Sequence, residues 1–340
     1  MFTFSPSPKN MSETPQRQPE SAAQKPEADS ANPDESKEQQ NQVNFATLMF
    51  ATKIEAMARM AAAGQRVLDN TSEALPKFNV GNPNSHTIEE LQQFMKQTKN
   101  SVAVATVTRA MIEHPNGAKA LDSVKPMLDS NDLCIYSAAL AYMMTYGDAE
   151  DLPVYLKNAD DLLAATTQLE KKLVTEYEKK VAESIERSKK TGRGSRAFLL
   201  FDDLDRQHQS PELFSRYSSL VQGYGTAQRR GQDTLPQLKK LHETSNNDTA
   251  LVMTGSQLVE SGKFDEIKNM ILTGKEKVKK DALLLSMFIA LNLNPDKDKA
   301  RQAERVRQIS TLSKELLAGD TPFDETQEQF LKRMSVEQKK

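Results

Sequence analysis

The sequence predicts an all-α protein, a disordered N-terminal tail followed by elongated helical bundles. Three observations carry this. The strong helix formers Ala, Leu, Lys, Glu, Gln and Met dominate the composition. Glycine is scarce, at 13 of 340 residues, and mostly separates apolar-periodic segments. Six of the fifteen prolines (Pro6, Pro8, Pro15, Pro19, Pro26 and Pro33) crowd into the first 42 residues, among Ser, Gln, Glu and Asn. Such a stretch has too little apolar surface to offset the entropy of ordering, so residues 1–42 read as a disordered tail.

Order is expected to begin at "VNFATLMFATKIEAMARMAAAGQRVL", within an apolar helical segment over residues 43–75. Phe45, Met49, Ala56, Met60, Ala63 and Val67 follow helical steps, and Leu48, Phe50, Ile54 and Met57 widen the stripe almost all round. A helix apolar all round needs burial on several sides. Methionine suits a contact surface that adapts to its partner. Phe45, Leu48, Met49, Ile54, Met57, Met60 and Val67 are therefore candidate partner-binding residues, with an ordinary core helix as the competing reading.

A first helical bundle is expected over 86–190. "HTIEELQQFMKQ" carries a reciprocal cap, Thr87 with Glu90 three residues on. "SVAVATVTRAMIEH" is β-branched, yet it reads as helix because no partner strands are apparent elsewhere. "HPNG", His114 to Gly117, is a turn. "DLCIYSAALAYMMTYG" is a very apolar helix capped by Asp132 and closed by Gly147. A long helical stretch follows from Asp151 to about Lys190. Its seam reads Leu156, Leu162 or Leu163, Leu169, Leu173, Tyr177, Val181 and Ile185, with a break expected near "KNADD" and Asp160 or Asp161 restarting the helix. "SKKTGRGSR" then marks a domain boundary.

The second bundle is expected over 196–340. "AFLLFDDLDRQ" reads as a short helix. The stretch "SPELFSRYSSLVQGYGTAQRR" begins with Ser210 as cap and Pro211 at the first helical position. Leu213, Tyr217, Val221 and Tyr224 form its core face. Gly223 would admit a neighbouring helix closely, Gly225 would loosen the last turn, and Gly231 would end the element. Further short helices follow, separated by Gly or Pro, with a longer one closed by Gly319. "QLVESGKFDEIKNMI" looks like one unit of a helical-repeat protein.

The chemistry-bearing residues are dispersed. A net charge of −2 gives no global pull toward nucleic acid or an anionic membrane. No apolar run approaches the ~18 residues of a membrane span, and "MFTFSPSPKNMSETPQ" lacks the basic start and apolar centre of a secretory leader. The single cysteine, Cys134, sits in an apolar run and reads as a small buried hydrophobe. The four histidines (His86, His114, His208 and His242) lack the pairing of a helical zinc site and are expected as surface or capping residues. Asp202, Asp203 and Asp205 beside His208 could serve a hydrolase, but they share one helical turn and point in different directions. "TGRGSR" and "TGKEK" lack the spacing of a phosphate-cradling loop, and "NPDKDKA" lacks the remaining ligands of a calcium loop. The basic patches Arg187 to Arg196 and Gly274 to Lys280 have no interleaved aromatics for nucleic acid. No catalytic residue, metal site or cofactor is therefore expected, and the protein reads as a non-enzyme.

The layout resembles the type III secretion gatekeepers, translocation regulators with a HrpJ-type domain (YopN/SepL-like). The closest local likeness is "ELFSRYSSLVQGYG", through Leu213, Arg216, Tyr217, Val221, Gly223 and Tyr224. The likeness in layout covers residues 43–240. The family's segment after its long helix is not matched, since "TGRGSR" stands there, and the last hundred residues have no clear counterpart. The resemblance implies an uncleaved export signal in the tail and a chaperone-binding region at Val43 to Leu68. It implies a helical body that docks at the export apparatus and orders the release of translocators and effectors. It implies residence in the bacterial cytoplasm, with secretion that needs no cleaved signal peptide; the charge balance and the short apolar runs themselves point to neither nucleic-acid binding nor membrane insertion. Two alternatives of other classes are a secreted non-enzymatic effector and a helical-repeat adaptor.

Overall fold

A helix starts most readily where a short polar side chain accepts the N–H groups its first turn leaves unpaired. A computed structural model describes residues 83–191, 210–292 and 298–336 of the chain. All of these belong to one compact unit. The expected tail over 1–42 and apolar helix over 43–75 lie outside the described residues.

Thr87 opens α1 (Ile88–Gln97): its hydroxyl accepts from the Glu90 N–H at 3.2 Å, and the Glu90 carboxylate accepts from the Thr87 N–H at 2.8 Å. Asn100 caps α2 (Ser101–Glu113), the β-branched stretch. It is helical because Val102, Val104 and Val107 are buried against neighbouring helices, and packing overrides weak propensity. A short helix, α3 (Leu121–Val124), leads to α4 (Leu133–Tyr146), where the Asp132 carboxylate accepts from the N–H groups of Cys134 and Ile135.

The next helix, α5 (Leu152–Thr191), runs unbroken for 40 residues. The break expected at "KNADD" is absent. No Gly or Pro interrupts the backbone there, and Asp160 does not restart a helix. Its carboxylate instead accepts from Tyr224 at 3.2 Å and from Gln237 at 3.3 Å. Leu152, Tyr155, Ala159, Leu162 and Leu163 are buried, while Leu156 and Leu169 are half-buried. Past Glu170, none of the side chains described on α5 is buried. The side chains of Tyr177 and Val181 lie outside the described set.

Ser210 caps α6 (Pro211–Arg229), with Pro211 in the first turn. There follow α7 (Leu235–Thr244), α8 (Asp248–Glu260) and α9 (Phe264–Thr273). The chain then forms α10 (Lys277–Asn292), α11 (Lys299–Ala318) and α12 (Glu325–Ser335). Asp324 and Gln327 form a second reciprocal cap at α12. Among the described residues the protein is all-α, with twelve α-helices and no strand. The segment "AFLLFDDLDRQ" lies outside them.

Alternate helices form a packed row. α2, α4, α6, α8, α10 and α12 each pack on the next member, and from α4 onward consecutive helices also pack together. On the other side polar pairs bridge alternate helices. Lys239 of α7 meets Glu266 of α9 at 2.8 Å, and Lys268 of α9 meets Glu315 of α11 at 2.7 Å. Position in the row explains the hydrophobic patterns. The inner helix α4 buries an unbroken run from Ser137 to Met144. The outermost helices bury one stripe each, at helical spacing: Ile88, Leu91, Phe94 and Met95 on α1, which packs on α2, and Gln327, Phe330, Leu331 and Met334 on α12. Phe330 meets Phe288 of α10 edge-on, with ring centres 5.5 Å apart. Each large apolar side chain so buried contributes about 1.5–3 kcal/mol. Phe330→Ala, which deletes the aromatic member of the α12 stripe and its contact with Phe288, would cost about 3–5 kcal/mol.

Candidate functional site

The stretch that carries the family resemblance occupies α6, which packs against α2, α4, α5, α7 and α8. Twelve of its 19 residues are buried. Leu213, Tyr217, Val221 and Tyr224 are core residues, each no more than 3% exposed. These four do not form a free surface. They are the seam along which the Pro211–Arg229 segment joins helices from before residue 191. Arg216 is half-buried, and its Nε atom is buried with no hydrogen-bond partner.

The glycines of α6 are contact points. A Cβ on Gly223 would stand 2.9 Å from Met144 Cε and 3.3 Å from the Cα of Ala141, both on α4. The close approach expected there is present. Gly225 does not loosen the helix, which continues regularly to Arg229. A Cβ at Gly225 would stand 2.3 Å from Gln257 Oε1, so this glycine makes room for α8. Gly231, at φ +88°, turns the chain out of the helix, as the sequence predicts.

Two tyrosines tie α6 to acids on α5. The Tyr217 hydroxyl donates to Glu170 Oε2, and the Tyr224 hydroxyl donates to Asp160 Oδ1. The Glu170 side chain also accepts from Ser245 Oγ at 3.3 Å and from the Asn246 N–H at 2.8 Å. It is 2% exposed, and its partners are all neutral donors. Burial first, and the facing carboxylate second, push both phenols above their ordinary pKa, so both remain donors. Asn247, next to this knot, accepts from the Ala250 N–H and caps α8. One cluster thus fixes α5, α6 and the start of α8.

Two arginines complete the enclosure. Arg109 of α2 donates to Ser215 O and Ser215 Oγ, both at 2.9 Å, and lies over the Phe214 ring. Burial lowers its pKa to about 10, which leaves it charged at neutral pH. Arg230 donates to the carbonyls of Met144 and Gly147, both at 2.9 Å, and so satisfies the open C-terminal end of α4.

The sequence-predicted residues divide sharply. Leu213, Arg216, Tyr217, Val221, Gly223 and Tyr224 gather on α6. Phe45, Leu48, Met49, Ile54, Met57, Met60 and Val67 lie outside the described residues, as do Asp202, Asp203, Asp205 and His208. Cys134 is buried with Val102, Ala105 and Ala138, and burial pushes its thiol pKa up. His114 holds the capping position expected of it, at the C-terminal end of α2, whereas His242 departs from the surface or capping role, and both are buried. His114 is 8% exposed and bonds through Nε2 to the carbonyl of His86, and His242 is 4% exposed. Each is enclosed by chain distant in sequence, which local pattern does not register. Sequence reasoning also passed over Glu170, although it follows Thr166 by four residues and Leu163 by seven. That places a charge on the apolar face of α5, a usable signal for a buried acid.

Among the described residues, no group of His, Cys, Asp and Glu is arranged to hold a metal ion, and no helix is long and apolar enough to cross a membrane. No known family, curated protein or solved structure matches the chain.

Proposed function

We propose that the protein is a non-enzymatic regulator of secretion of the gatekeeper kind, which orders the export of translocators and effectors by binding other proteins. One observation carries the reading. The stretch that resembles the gatekeepers is the enclosed helix α6, on which α2, α4, α5, α7 and α8 converge. A pattern of core positions is what proteins of one fold would share. Under this reading residues 1–42 act as an uncleaved export signal. The Val43 to Leu68 segment offers its apolar stripe to a secretion chaperone, in the manner of an amphipathic helix laid into a groove. The helical body meets the export apparatus in the bacterial cytoplasm. Removing residues 1–42 is expected to abolish export and to leave the helical circular dichroism spectrum of the body unchanged. Loss of the helical signal, or undiminished export, would count against the reading.

The stretch from α6 to α12, where helices pack on those one or two along the chain, favours one second reading, a helical-repeat adaptor, because contacts between near neighbours characterise such arrays. That reading predicts a curved scattering envelope with one concave peptide groove. A pull-down with residues 43–70 as bait separates the two. The gatekeeper reading predicts capture of a small chaperone by this segment, and the adaptor reading predicts that ligands need the helical body instead.

A further inference from the structure

We draw no further inference here: the strongest candidate, the apolar stripe along the distal half of α5 around Leu173, Val174 and Ile185, carries nothing because nothing in the structure shows what covers it.

Discussion

The phenol of Tyr217 on α6 donates to the carboxylate of Glu170 on α5, and both side chains are at least 98% enclosed. This contact joins helices on either side of the 192–209 segment. Tyr217→Phe keeps the ring and removes one donor from a buried acid. The expected loss is about 1–3 kcal/mol, because an under-satisfied buried group bears its full desolvation cost. Glu170→Ala strands the Tyr217 hydroxyl and the Asn246 N–H together and should cost more. Urea unfolding of both variants and of the double variant gives the coupling, expected at about 0.5–3 kcal/mol. Additive losses would show that the pair does not act as a unit.

Gly223 and Gly225 are two residues apart but should respond differently to alanine. At Gly223 the added methyl meets the backbone of Ala141 at 3.3 Å as well as Met144 Cε, so α4 itself must give. Overpacking of this kind costs about 1–3 kcal/mol. At Gly225 the obstacle is the tip of the Gln257 side chain, which can swing aside. The gain of about 1 kcal/mol in helix propensity then offsets much of the loss. Thermal melts should rank Gly223→Ala clearly below Gly225→Ala. The reverse order would contradict the packing described.

His242 makes stability depend on pH. Burial first, with the Lys279 charge opposing protonation as well, lowers its pKa from 6.5 to about 4. A backbone hydrogen bond at Lys279 and the charge of Glu276 act the other way but do not cancel the shift. The fold thus favours the neutral ring. The stability it contributes is whole above pH 6.5 and is lost as pH falls toward 4. The shift amounts to about 3 kcal/mol. Unfolding midpoints at pH 7 and pH 4.5 should diverge in the natural protein and converge in His242→Leu. An equal pH dependence in both would remove His242 from this role.

What was legible in the sequence was local. Thr87, Asp132 and Ser210 cap the helices their neighbours announce, because a cap is settled within three residues. The all-α class followed from helical periodicity and from the absence of partner strands. The continuity of α5 was not legible. Asp160 and Asp161 look like a restart until Tyr224 and Gln237 supply Asp160 with distant partners. The burial of His114 and His242 has the same origin. The glycines of α6 were half legible. Gly223 could be read as a site of close approach, but the neighbour that needs Gly225 is Gln257, which no local pattern reveals.

The most direct test of the proposed role is secretion order, measured by comparing proteins released from cells with and without this chain before and after host contact. The account predicts that effectors escape early and translocators fall when the chain is absent. An unchanged order of release, with the chain itself never leaving the cell, would contradict it.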